Sequence, residues 1–134
     1  MITKEMAEKL WKDVFGNKEW AQDCFGVWMH RDAWSNTAVM LLRPGQTKKY
    51  DYSWNVDHIR PKSDFNNPLE ADFFNNFEPM QRGNNSEKGD NYPHFSIGDK
   101  KYKVFSQSGY YGYGIIDVST NKKIDWKSKQ GKHY

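Results

Sequence analysis

Asp57 and His58 stand side by side at the end of an apolar run. Asn76 lies 18 positions after the histidine, Asn85 nine after Asn76, and Lys88 three beyond Asn85. Residues of these types can act together on a phosphodiester. Cutting that bond requires an activated water and relief of the charge growing on the phosphate and the leaving oxygen. A neutral imidazole can supply the first. A carboxylate and an amide oxygen are hard ligands suited to Mg²⁺ or Mn²⁺, which supplies the second. Taken singly, each residue has a duller reading: an Asp-His pair on a surface, a turn asparagine at 76, a helix cap at Asn84-Asn85, an exposed lysine at 88. Order and interval together make the signal specific.

The whole stretch reads Trp54-Asn55-Val56-Asp57-His58-Ile59-Arg60-Pro61, then Asn76-Phe77-Glu78-Pro79-Met80, then Gly83-Asn84-Asn85-Ser86-Glu87-Lys88-Gly89-Asp90. It resembles the HNH nuclease motif in the variant whose third residue is Asn. The likeness covers about Trp54 to Asp90. More loosely it covers Asp23–Arg31, similar to the Asp-x-x-Gly approach strand of some small phage and bacterial HNH proteins. The resemblance implies Asp57 and Asn85 as ligands of one Mg²⁺ or Mn²⁺ ion, His58 as general base, and Asn76 as support for the loop and the histidine. By charge and position, Lys88, Arg60, Lys62, Arg31, Lys48 and Lys49 are candidate phosphate or nucleic-acid contacts. The chain departs from many members in having Asn85 instead of His and in lacking the Cys pairs that hold a structural zinc, so no structural zinc is expected.

These residues need elements to hold them. Tyr52, Trp54 and Val56 alternate with Ser53, Asn55 and Asp57, so 50–58 reads as a strand ending at the Asp-His pair, and Pro61 prevents simple continuation. Neighbours on a flat strand face opposite sides, so Asp57 and His58 can share one site only if the strand twists or bulges there. Residues 59–71 read as loop and 75–80 as a second strand. After a polar turn at 81–83, Asn84 with Glu87 forms a capping-box pattern for a short helix from about Asn85. Strand, loop, strand and short helix make up the ββα-metal unit that the HNH family uses.

Around this core the sequence implies an α+β domain. Thr3 caps an amphipathic helix carrying Met6, Leu10, Trp11, Val14 and Phe15, which Gly16-Asn17 stops. Phe25, Val27 and Met29 alternate as a strand, where at most one of His30 and Arg31 points inward. Ala38–Leu42 is a short apolar run followed by a turn at Arg43–Gln46. Lys101–Ser106, Tyr111–Val118 and Lys123–Trp126 read as antiparallel sheet with turns at Ser108-Gly109 and Ser119–Asn121. Tyr110, Tyr111 and Tyr113 pack against the first helix or form an exposed aromatic surface. His94 is a surface histidine or a further phosphate contact. The tail 127–134 is basic and poor in apolar residues.

Composition sets the bounds. The 134 residues suit one domain with one modest core, and the 16% aromatic content argues against disorder. Cys24 is the single cysteine, so neither a disulfide framework nor a Cys-rich zinc scaffold is possible within the chain. No apolar run approaches the roughly 20 residues of a membrane span and no signal-peptide pattern opens the chain, which points to a soluble, cytoplasmic protein. The net charge of +3 is uneven, acidic over 51–94 and basic over 43–50 and 120–134.

The expectation is therefore a one-metal DNA endonuclease leaving 5′-phosphate ends, acting on double-stranded DNA through the minor groove. It would nick or cut both strands as a monomer or homodimer, with weak sequence preference unless a protein partner supplies it. Phage or mobile-element origin follows from the resemblance alone. Two rivals stand beside it. One is a non-cleaving DNA- or protein-binding inhibitor on an HNH-derived fold. The other is a nuclease toxin domain with an immunity partner, against which the initiator Met and the chain's own first helix favour a standalone protein.

Overall fold

The computed structural model describes residues 1–107 and 112–126. Its first element is helix α1, Lys4–Phe15, placed as the sequence implies. The Thr3 hydroxyl accepts from the Met6 N–H, Glu5 sits in the first turn, and Gly16 ends the helix at φ 67°. Ala7, Leu10, Trp11 and Val14 form its buried stripe.

Strands β1 (Trp20–Gln22) and β2 (Trp28–His30) make an antiparallel hairpin. The alternation at 25–29 overstates the strand, because Asp23 organises a turn there. Its Oδ1 accepts from the Phe25 and Val27 N–H groups, and Gly26 turns the chain at φ 86°. Strands β3 (Met40–Leu41) and β4 (Tyr50–Asp51) pair around the expected turn at Arg43–Gln46.

The expected strand over 50–58 is broken in two. After β4, the Asp51 carboxylate accepts from the N–H and hydroxyl of Ser53 and from the Val39 N–H. This local competition for backbone donors interrupts the ladder. Strand β5 then runs Trp54–His58 and pairs antiparallel with β6, Phe77–Gln81, in unbroken register from Trp54↔Gln81 to His58↔Phe77. Between them, residues 59–76 carry three 3₁₀ turns at Lys62–Asp64, Pro68–Ala71 and Phe74–Asn76.

Helix α2, Arg82–Lys88, follows β6 without a turn. The expected cap at Asn84 is corrected to Gln81, whose Oε1 accepts from the Gly83 and Asn84 N–H groups. Asn84 lies inside the helix, and the Glu87 carboxylate accepts from the Gly98 N–H instead of closing a capping box. Strands β7 (His94–Ile97), β8 (Lys100–Ser106), β9 (Tyr113–Asp117) and β10 (Lys122–Lys123) form an antiparallel sheet in the order β10-β9-β8-β7. The expected strand at 123–126 shrinks to β10, and β7 is an addition. The Ser108-Gly109 turn, Tyr110, Tyr111 and the tail 127–134 lie outside the described residues.

The β5–β6 pair lies between two cores. On one side Trp54, Val56 and Phe77 meet the buried stripe of α1. On the other, Met80 joins Ile59, Phe95, Tyr102, Val104, Tyr113 and Ile115 of the C-terminal sheet. Tyr113 thus packs with that sheet, near Phe65 and Phe73, and not against α1. The arrangement is a mixed α+β one, and no helix among the described residues is long and apolar enough to cross a membrane.

Candidate functional site

The end of β5, the loop that follows it and the C-terminal half of α2 converge on one cavity of about 260 Å³. It is lined by Val56, Asp57, His58, Pro61, Lys62, Asn85, Gly89 and Asp90. The regular register leaves no bulge, so Asp57 (opposite Glu78) and His58 (opposite Phe77) leave opposite faces of β5. Both reach the cavity because the strand stops at His58 and does not run on through residue 60.

Two side chains end the strand. Asn76 is fully buried and grips the departing chain: its Oδ1 accepts from the Arg60 N–H at 2.8 Å, and its Nδ2 donates to the carbonyls of Arg60 (3.0 Å) and Ala71 (3.1 Å). Its own carbonyl accepts from the Ile59 N–H at 2.8 Å. Asn76 thus ties the loop to the end of β5, and it makes no direct hydrogen bond to His58 among the described residues. Lys88 is the second grip. Its ammonium donates to the carbonyls of His58 (3.2 Å) and Ile59 (2.9 Å) and lies 3.3 Å from Asp57 Oδ1.

Asp57 is 3% exposed. Burial pushes its carboxyl above the usual carboxylate range, against the opposing pull of Lys88. Its Oδ2 is buried without a hydrogen-bond partner, a costly condition for an anionic oxygen. Asn85 lines the same cavity, and its side-chain amide has no partner among the described residues. The adjacent Asn84 is committed elsewhere, its Nδ2 donating to Asp23 Oδ2 at 2.9 Å. Asp57 and Asn85 thus bring a carboxylate and an amide, the donor types that suit a hard divalent ion, to the same cavity. Among the described residues no group of three or more His, Cys, Asp or Glu side chains forms a metal cluster.

His58 is held by a residue that sequence reading missed. Its Nε2 lies 2.6 Å from Oδ1 of Asp72, and the Phe77 ring stands edge-on at 5.5 Å. Burial lowers the imidazole below its usual range, only partly offset by Asp72, which favours the neutral form a general base requires. Asp72 is itself raised by burial, but the N-terminal ammonium of Met1 and His58 outweigh that and hold it below the usual carboxylate range. Asp72 sits between two 3₁₀ turns in a segment with no periodicity; a carboxylate 14 positions from the histidine carried no readable signal. Asp90, at the end of the motif stretch, is exposed at the cavity rim.

The expected nucleic-acid contacts divide. Lys62 is exposed at the cavity wall, close enough to His58 to depress its pKa, and has no ion-pair partner among the described residues. Lys88 is fully buried, so the expected phosphate contact is corrected to an internal one. Arg60 is also engaged inward, on Asp64 (2.6 Å) and the Tyr113 hydroxyl (2.6 Å), with its guanidinium over Phe65. Arg31 pairs with its neighbour Asp32 and lines a different cavity beside α1, with Lys4 and Lys12. Its neighbour His30 is half-buried on the face of β2 opposite Met29 and is tied to Glu19. Lys48 and Lys49 are exposed in the β3–β4 turn and do not line the site. His94 is exposed at the start of β7, outside the cavity.

No family model, no curated protein and no solved structure matches the chain.

Proposed function

We propose that the protein is a divalent-metal-dependent endonuclease that hydrolyses DNA phosphodiester bonds, with β5, β6 and α2 serving as a ββα-metal core of the HNH type. The observation that carries this reading is that Asp57, His58 and Asn85 line one cavity, and that Asp57 keeps a buried oxygen, Oδ2, without a hydrogen-bond partner. Asp57 and Asn85 would hold one Mg²⁺ or Mn²⁺ ion. When bound, such an ion supplies Lewis-acid relief of the charge on the phosphate and leaving oxygen. His58 takes the proton from the attacking water, and burial keeps it neutral and ready to do so. Lys62 meets the scissile phosphate from the cavity wall. Lys88 holds Asp57 in place and keeps the end of β5 open toward the cavity.

The test is cleavage of supercoiled plasmid with Mg²⁺, Mn²⁺ or EDTA, comparing the parent chain with His58→Ala. Metal-dependent nicking is expected, reduced about 10²- to 10⁴-fold in the variant, the range for removal of a general base. A second reading rests on Lys88: its ammonium already neutralises part of the Asp57 charge that an ion would use. A parent chain that retards the plasmid but never cuts it with either metal supports that reading, a non-cleaving binder or inhibitor.

A further inference from the structure

We infer that Asp72 is the positioning residue for His58, fixing the imidazole so that Nε2 is bound and Nδ1 is the nitrogen that takes the proton from water. The catalytic half of this inference rests on the nuclease reading; the positioning half stands on geometry alone.

An ionised carboxylate only accepts, so a 2.6 Å contact from Asp72 Oδ1 to Nε2 requires the hydrogen to be on Nε2. Nδ1 is then the lone-pair nitrogen, and it makes no hydrogen bond among the described residues. Both side chains of the pair are 12% exposed, so little water competes for the contact. The Phe77 ring blocks one side of the imidazole.

The backbone is built to bring the two together. The Asp72 N–H closes the 3₁₀ turn at Pro68–Ala71 by donating to the Leu69 carbonyl. Asn76 then ties the carbonyl of Ala71, directly before Asp72, to the backbone of Arg60, two residues after His58. Asn76 therefore acts on His58 at one remove, by holding the carboxylate's segment against the histidine's. A loop whose only task was to cover the core would not need this clamp at both ends.

The experiment uses the full chain with labelled histidine, the variants Asp72→Ala and Asp72→Asn, and His58→Gln to assign the signal. Long-range ¹⁵N–¹H NMR at about pH 8, where a free imidazole is neutral, reads the tautomer directly. The parent chain is expected to show His58 with hydrogen on Nε2, and both variants a mixture with the Nδ1–H form. Asp72→Asn keeps the shape of the side chain but offers a donor as well as an acceptor, so it no longer dictates the tautomer, and it guards against misfolding of the alanine variant. In plasmid cleavage, kcat falls about 10- to 100-fold in both, the range for a residue that orients another group, with KM for DNA unchanged. A parent chain with hydrogen on Nδ1, or variants that keep a single Nε2–H form and parental kcat, would overturn the inference. A parent chain with the expected tautomer that never cleaves overturns the nuclease reading and the catalytic half, and leaves Asp72 a purely structural partner.

Discussion

Asp23 and Asp57 are both buried, at 1% and 3% exposure, and burial raises both carboxyls above the usual range. Their surroundings are otherwise opposite. Asp23 accepts from the N–H groups of Phe25, Val27 and Gln81 and from the Asn84 side chain, so both oxygens are satisfied and the β1–β2 turn is pinned to the start of α2. Asp57 has Lys88 on one oxygen and nothing on the other. The two differ in spare ligand capacity, which is what a cation needs.

The same substitution at both positions breaks or sharpens that contrast. Asp57→Asn keeps an acceptor for Lys88 but removes the charge. Cleavage is expected to fall about 10³-fold, several kcal/mol of lost transition-state stabilisation. On the proposed reading Mn²⁺ raises the melting temperature of the parent chain, and that rise is expected to vanish in this variant. Asp23→Asn leaves the ion site intact but turns an amide donor toward groups that already donate, at a cost of about 1–3 kcal/mol. Its melting temperature falls, yet the Mn²⁺-induced rise persists. Scanning calorimetry with and without Mn²⁺ checks both. Loss of the metal response in Asp23→Asn as well would erase the distinction.

Lys88 offers the next test. Lys88→Met leaves Asp57 as a buried charge without its counter-ion, which costs about 3–5 kcal/mol in denaturant unfolding. Part of that loss should return with Mn²⁺, because the cation replaces the missing ammonium. A variant equally unstable with and without Mn²⁺ would mean that the spare oxygen takes no cation.

Much of this was legible in the residues because periodicity and punctuation agree there. Thr3, the apolar stripe of α1 and Gly16 each mark the same helix, and alternation from Tyr52 to Asp57 marks β5. The misreadings arise where a side chain overrides the pattern. Asp51 takes the backbone donors of Val39 and Ser53 and splits the strand; Asp23 turns the chain where alternation suggests a strand. From sequence, Lys88 and Arg60 look like surface cations because a charge is ordinarily solvated, but each has carbonyl or carboxylate partners that only the folded chain assembles. Asp72 was invisible for the same reason, since its partner is distant in sequence and its segment has no period. The motif thus named Asp57, His58 and Asn85 at the cavity and Asn76 behind them, while Asp72 and the inward contacts of Lys88 came only from the fold.

The finest test lies between two neighbours. Asn84 and Asn85 have the same side chain on the same short helix, and a sequence reading gives either one a capping role. Asn84 Nδ2 completes the bonding of Asp23, so Asn84→Ala should cost about 1 kcal/mol or slightly more, the loss of one hydrogen bond to a charged group, and leave cleavage near parental. The Asn85 side chain makes no hydrogen bond among the described residues, so Asn85→Ala should change unfolding by less than about 0.5 kcal/mol while weakening the expected Mn²⁺-induced thermal shift and lowering kcat. Urea unfolding and plasmid cleavage, run in parallel on the two alanine variants, separate the effects. A stability loss at Asn85 with cleavage intact would make it a structural asparagine like its neighbour. Asp57 would then be left without its amide companion, and the case for an ion at this cavity would fall with it.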